Sequence, residues 1–277
     1  MRLRLDLAYD GTDFHGWAAQ PGLRTVQGEL VKALATAVRV PDVAVVCAGR
    51  TDTGVHARGQ VVHADVTEQV LADSAGRAQE PPLEALLRRV NGILPPDVRV
   101  RRVAAAPDGF DARFGALWRR YAYRIADTAG ALDPLARAQV LAWPRPLDLE
   151  AMNDASALLV GQNDFASFCK RREGATTIRT LLELTWARDE TGVAVGTVRA
   201  DAFCHSMVRS LVGCLVAVGE GRRPVAWAEE VLRAQTRDPA VAVAHAHGLT
   251  LEEVAYPPDA ELAARAERTR ARRSTDG

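Results

Sequence analysis

The sequence predicts an α+β fold of two similar half-domains, and three observations carry the prediction. Apolar residues recur at period two in short segments in both halves of the chain; segments between them show helical spacing; and a stretch holding Pro107, Gly109 and Gly115 separates the two runs. At about 150 residues per domain, 277 residues fit two units. With 48% hydrophobic and 25% charged residues, the composition is that of an ordinary globular chain with apolar side chains for a sizeable core.

In chain order, Leu3, Leu5, Leu7 and Tyr9 fall on one face of an extended segment and Arg2, Arg4 and Asp6 on the other, the pattern of a half-buried strand. After a Gly-containing loop, Val26, Leu30, Ala33, Leu34 and Ala37 have helical spacing, and Thr25 is placed to cap the first turn. Residues 43–48 read as a strand entering the loop 49–58, and residues 59–66 as the strand leaving it. Residues 83–90 read as a helix ended by Asn91-Gly92, and 98–104 as a strand, which completes a β-α-β-β-α-β order. The second half follows a similar course: a strand at 118–126, a helix at 149–160, a hairpin of 179–188 with 193–203 about a turn at 189–192, helices at 206–218 and 226–234, and a last strand at 249–256. Two split β-α-β units of the ferredoxin-like or RRM-like kind are therefore expected, with mixed, mainly antiparallel sheets joined across a central cleft. The expected boundaries are 1–106 for the first half-domain, 107–259 for the second and 260–277 for an arginine-rich, flexible tail.

The 35 Lys and Arg residues balance 35 Asp and Glu residues, which excludes a polybasic scaffold and an acidic disordered chain. Neutrality alone leans against nucleic acid, because phosphate binding is an electrostatic contest. Yet Lys32 and Lys170 are the only lysines, so the positive charge is almost all arginine, a planar donor suited to phosphates and base edges. A general arginine bias accounts for that equally well. Cys47, Cys169, Cys204 and Cys214 are widely spaced with no Cys-x-x-Cys pair, so they are expected to be unpaired thiols of a reducing compartment, with neither a zinc site nor a disulfide framework. The N-terminus alternates charged and apolar residues where a signal peptide would need a continuous apolar run, so none is expected, and the longest apolar stretch, 211–219, is about half of what a membrane span requires. A cytoplasmic protein with no membrane partner is expected.

The densest polar cluster is Gly49-Arg50-Thr51-Asp52-Thr53-Gly54-Val55-His56-Ala57-Arg58-Gly59-Gln60, pinned between two apolar strands. Such a loop holds a reactive group rigidly. Asp52 lies at its centre, and Arg50 two residues earlier can keep a carboxylate ionised, which suits a nucleophile or a base. An Asx turn closing the loop accounts for the residue types equally well. The glycine spacing is that of a P-loop, but Val55-His56 stands where Lys-Ser/Thr would hold the phosphates, so that reading fails. Asp52-Thr53-Gly54 is also the aspartic-protease triplet, which calls for a mostly β chain and an apolar approach to the Asp that Gly49-Arg50-Thr51 does not supply.

Taken with its co-linear companions, this cluster resembles the TruA-type tRNA pseudouridine synthases. The resemblance runs through Tyr9-Asp10-Gly11-Thr12 with Phe14-His15-Gly16-Trp17; Gly49-Arg50-Thr51-Asp52 with Gly54-Val55-His56 and Gly59-Gln60-Val61; Phe110-Asp111-Ala112-Arg113-Phe114; Arg119-Arg120-Tyr121-Ala122-Tyr123; Asp164-Phe165 with Ser167-Phe168; Phe203 with Met207-Val208-Arg209 and Val212-Gly213; and Gly248-Leu249 with Leu251 and Tyr256-Pro257. Ala18 departs from the pattern, where the family usually has Gln after Gly-Trp.

The resemblance implies the pseudouridine synthase fold and the isomerisation of uridine to pseudouridine at positions 38, 39 and 40 of the tRNA anticodon stem-loop, by a homodimer and with no cofactor or metal. It implies Asp52 as the catalytic residue, attacking the sugar at C1′ or abstracting a sugar proton. It further implies Arg209 as the ion-pair partner of Asp52, Tyr121 stacking on the target base and Arg50 helping to hold that base out of the stem. Stacking a flipped base on an aromatic ring is worth roughly 1–3 kcal/mol, comparable to the cost of extruding it. Arg58 is a further candidate for binding substrate, and Arg24, Arg119, Arg120, Arg171 and Arg172 are candidates for a basic RNA surface because they neighbour these motifs. His56 and His63 are expected to be structural, and Tyr9, Phe14 and Trp17 to pack the loop near the active site. A catalytically silent RNA-binding module of the same fold is the competing reading, against which the intact set of Asp52, Tyr121 and Arg209 argues.

Overall fold

The computed structural model describes residues 1–75, 79–170 and 176–275. In chain order its elements are β1 (Arg2–Tyr9), α1 (Val26–Val38), β2 (Val45–Cys47), β3 (His56–Asp65), α2 (Glu68–Ala75), α3 (Pro82–Ile93), β4 (Val98–Ala105), β5 (Trp118–Ala126), β6 (Leu141–Ala142), α4 (Leu149–Ala157), β7 (Gly161–Asp164), β8 (Ile178–Arg188), β9 (Ala194–Ala200), α5 (Met207–Gly219), α6 (Trp227–Ala234), β10 (Leu249–Ala255) and α7 (Leu262–Thr275). Antiparallel pairs join β1 to β3 and to β4, β2 to β3, β5 to β9, β7 to β8 and β8 to β9, and a parallel pair joins β5 to β6. The protein is thus mixed α+β with mostly antiparallel strand pairing. It divides into two compact units, the first made of Met1–Leu117 with Leu251–Ser274 and the second built on Trp118–Thr250.

In the first unit the strands run β4-β1-β3, with β2 also on β3. The alternation read in β1 is realised: Leu3, Leu5 and Leu7 are fully buried and the residues between them are not. Thr25 caps α1 by accepting the Gly28 amide at 3.3 Å, and Val26, Leu30, Ala33, Leu34 and Ala37 form its buried face. Helix α3 runs past Asn91-Gly92, contrary to the expected stop. Asn91 does not cap it; its side chain donates to the Val100 carbonyl at 2.8 Å and accepts the Val100 amide at 2.9 Å, binding the helix to β4. The helix ends instead at Leu94, where the following Pro95 disfavours helical backbone. The arginine-rich end is helical over Leu262–Thr275 although its composition suggests a frayed tail. Leu262 and Ala266 are buried, Arg265 donates to the Ala116 carbonyl at 3.0 Å, and Arg270 pairs with Asp111 at 2.5 Å. Those contacts hold a helix whose apolar content is too low to announce itself.

His63, on β3, is buried against Phe110 and accepts the Ala112 amide on Nδ1 at 3.0 Å. Burial, helped by the Arg2 charge, holds its pKa below the ordinary histidine value. Its contribution to stability is therefore complete above the unfolded pKa of about 6.5 and is lost as pH falls through the lower folded value. Thermal unfolding should show a midpoint that drops as pH falls below about 6.5, and His63→Asn, which keeps an acceptor but does not titrate, should flatten that part of the curve. A His63→Asn curve parallel to wild type would assign the drop to other groups.

In the second unit the strands run β5-β9-β8-β7. Asp148 caps α4 by accepting the Glu150 and Ala151 amides, both at 3.0 Å. The β8–β9 hairpin turns where expected, with Asp189 accepting the Thr191 and Val193 amides. The apolar stretch in α5 is core: Leu211, Val212, Cys214 and Leu215 are all fully buried. Among the described residues no helix is long and apolar enough to cross a membrane. The cysteine expectation is corrected in part. Cys169 and Cys204 are joined as a disulfide, with Cα atoms 5.7 Å apart across a separation of 35 residues that no local motif reveals. Cys47 and Cys214 are buried, and burial pushes the Cys214 thiol up to about 12.

Candidate active site

The polar loop between β2 and β3 belongs to the first unit. The strands around it are in register, Val45 with Ala64 and Cys47 with Val62, and the Ala48 amide donates to the Val61 carbonyl at 2.8 Å, so the stem is fixed up to the loop's first residues. At its far end the Asp52 carbonyl accepts the Val55 amide at 3.1 Å, closing a four-residue turn. Gly54 is third in that turn with φ +77°, a conformation that other residues rarely adopt. The main chain thus closes the turn through the Asp52 carbonyl.

The segment after β1 forms the bed of this loop. The Trp17 amide donates to the Thr51 carbonyl at 3.0 Å and the Gly54 amide to the Phe14 carbonyl at 3.2 Å. Phe14 and Trp17 are each 1% exposed, so their packing against the loop follows the sequence expectation. Gly16 has φ +86°, and a Cβ there would lie 2.8 Å from the Thr51 carbonyl oxygen. Only glycine lets the two chains approach so closely. His56 is buried and accepts the Gly11 amide on Nδ1 at 2.9 Å, a structural role as expected.

On this frame Asp52 is half-buried and Arg50 and Arg58 are exposed. Arg58 on β3 lies 3.8 Å from the Glu252 carboxylate. Arg24 is engaged by an acidic partner: its two amino groups bind the Asp97 carboxylate at 2.7 and 2.9 Å, and its guanidinium lies 4.1 Å from the centre of the Phe14 ring.

Tyr121 and Arg209 belong to the second unit. Tyr121 is on β5 opposite Val198, buried, with its ring edge-on to Phe203 at 5.1 Å and 89°. Phe203 stands in the motif that ends in Arg209, but no role followed from the sequence; the fold makes it the wall that orients Tyr121. Arg209 lies in the first turn of α5, where its Nε donates to the Ala244 carbonyl at 2.7 Å and its own carbonyl accepts the Ala244 amide at 3.0 Å. A segment 35 residues away therefore aims this side chain. Arg119 is buried and donates to the Asp201 carbonyl at 2.8 Å, so it is a core residue and not part of an RNA surface. Arg171 and Arg172 lie outside the described residues.

The first unit thus presents a carboxylate on a braced loop that also carries Arg50, and the second an aromatic ring and an anchored arginine. Among the described residues no group of three or more His, Cys, Asp and Glu is arranged to hold a metal. A mixed α+β fold carrying this loop is compatible with a pseudouridine synthase, and comparison with known proteins establishes that class. A family model described as tRNA pseudouridine synthase matches residues 155–257. Over 281 residues, 100% of this chain and 95% of the relative, it is 59% identical to tRNA pseudouridine synthase A of Streptomyces griseus subsp. griseus. It is also 59% identical to the Frankia casuarinae protein of the same name, over 98% of this chain and 95% of that one, and 51% identical to that of Mycobacterium leprae, over 99% and 96%. The chain belongs to the tRNA pseudouridine synthase A family, and its activity is that of an isomerase. The protease triplet Asp52-Thr53-Gly54 is accordingly a β2–β3 loop of an α+β unit.

Proposed function

We propose that the chain isomerises uridine to pseudouridine at positions 38, 39 and 40 of the tRNA anticodon stem-loop, with Asp52 as its catalytic nucleophile or base. The observation that carries the reading is the Asp52 loop: a half-buried carboxylate on a turn closed by its own main chain and braced by the segment after β1. The N1–C1′ bond breaks, the uracil turns, C5 bonds to C1′, and the C5 hydrogen leaves to solvent as a proton while N1 gains one. Nothing is oxidised or hydrolysed, so the chemistry calls for no cofactor. A carboxylate serves either route, by attack on C1′ or by removal of a sugar proton that yields a glycal-like species.

On this reading Arg209 pairs with Asp52 and orients it, Tyr121 stacks on the target base, and Arg50 helps hold that base extruded, with Arg58 on the substrate backbone. The strand order of the first unit, β4-β1-β3 with β2 beyond, supports the ferredoxin-like, RRM-like reading of that half. Because several adjacent uridines serve as targets, recognition rests on shape and backbone charge more than on base sequence. The same reading includes a homodimer, one tRNA reaching across both subunits, and the cytoplasm as the place of action.

The test is tritium release from unmodified tRNA labelled at uracil C5. Forming the C5–C1′ bond displaces that hydrogen, so the wild-type protein should release tritium to water; no release from a tRNA with uridines at these positions would overturn the proposal.

A further inference from the structure

Tyr9 continues the apolar face of Leu3, Leu5 and Leu7, where any apolar side chain would pack, yet it carries a hydroxyl that reaches the Asp52 loop. That hydroxyl lies 2.8 Å from Thr51 Oγ1. Gln60, on β3, donates from Nε2 to the Tyr9 hydroxyl at 3.3 Å and to the Gly49 carbonyl at 2.7 Å. Tyr9, Thr51 and Gln60 are 5%, 6% and 0% exposed. Buried polar groups are costly unless every one is paired, so a network of this kind fixes geometry more strictly than apolar packing does.

The network ties the loop at two points, the Gly49 carbonyl and the Thr51 hydroxyl, to two neighbouring strands in which Leu7 and Gln60 are opposed. The Thr51 main chain is held as well, by the Trp17 amide. Thr51 has little freedom left, and its neighbour in the chain is Asp52. We infer that Tyr9 and Gln60 are positioning residues for the isomerisation: through Thr51 and Gly49 they set where the Asp52 carboxylate stands. The inference rests on the catalytic role proposed above for Asp52. A displacement of about 1 Å at a reacting group can cost about a hundredfold in rate, whereas tRNA affinity depends on a broad surface that such a shift leaves alone.

The experiment measures kcat and KM for tritium release from C5-labelled tRNA, with thermal unfolding recorded for each variant. Tyr9→Phe keeps the ring and removes the hydroxyl; Thr51→Val removes the other end of the same bond, and Thr51→Ser keeps it. The expected result is a fall in kcat of about tenfold to a hundredfold for Tyr9→Phe and for Thr51→Val, with KM within about twofold of wild type. Thr51→Ser should retain most of the wild-type kcat, and the Tyr9→Phe/Thr51→Val double variant should lose no more than the worse single, because both remove one interaction. Should Tyr9→Phe fail to fold, Thr51→Val reports on the same bond from the loop side. Wild-type kcat in both single variants, or losses that multiply in the double, would overturn the inference. Asp52→Asn run in the same assay separates the two levels: if it is active, the role of Asp52 falls, and if it is inactive while Tyr9→Phe and Thr51→Val turn over normally, only the positioning inference falls.

Discussion

Asp52→Asn is expected to lower the rate of tritium release at least about a thousandfold while tRNA affinity and the unfolding midpoint stay near their wild-type values. Asparagine has the size and shape of aspartate but neither the nucleophilic oxygen pair nor a basic site, so attack on C1′ and sugar-proton removal fail alike. The loop should survive the exchange, because its closure uses the Asp52 carbonyl and the Gly54 backbone conformation. Thr51, held by the Tyr9 hydroxyl and the Trp17 amide, is untouched by it. Single-turnover release at saturating enzyme, beside filter binding of the same tRNA, separates chemistry from recognition. Retention of more than about a tenth of the wild-type rate would remove Asp52 from its proposed role, since a general base alone typically contributes at least about a hundredfold.

The parts of the fold that were legible in the sequence are those whose burial repeats at a regular period. β1 alternates through its whole length, and α1 carries its apolar residues on one face behind a Thr25 cap, so each could be placed from local spacing. β6 and β7 are two and four residues long, too short for a period to show, and α2, at eight residues, spans barely two turns. Asn91-Gly92 misled for a different reason. The pair commonly ends helices, but here the Asn91 side chain is taken up by Val100, and the stop moves to the residue before Pro95.

The Asp52 loop was legible because its glycines and charges stand together between two apolar strands, so the contrast in composition marks both of its ends. What orients the loop and the other side chains was not. Arg209 and Ala244, Tyr121 and Phe203, Tyr9 and Thr51, Cys169 and Cys204 are pairs made by the tertiary fold, between residues far apart in the chain. The arginines show the same limit. Nearness in sequence to the motifs suggested Arg24 and Arg119 as RNA contacts, but a guanidinium goes where a partner lies: Asp97 takes the first and the Asp201 carbonyl the second. The zero net charge likewise averages over exposed arginines such as Arg50 and over pairs such as Arg188 with the buried Asp127 carboxylate.

Arg209→Lys should lower kcat by about a hundredfold, although it keeps the positive charge. On the role proposed for it, the Arg209 guanidinium has two tasks at once. Its Nε holds the Ala244 carbonyl at 2.7 Å, which sets the direction of the side chain, and its amino groups are the ones left for the proposed pairing with a carboxylate. A lysine ammonium is a single compact head on a flexible stem and cannot carry out both. If it turns to Ala244 the carboxylate loses its partner, and if it turns to the carboxylate the anchor is lost and the pair is no longer oriented. Loss of the anchoring bond should cost stability by about 1.5–3 kcal/mol, the range for a hydrogen bond that involves a charged group, and so a few degrees in the unfolding midpoint. Arg209→Leu, which also removes the charge, should lose at least as much activity. The measurement is kcat for tritium release at saturating tRNA for both variants beside wild type. A lysine variant within about threefold of wild type would mean that a point charge suffices and that the Ala244 anchor serves only the packing of α5.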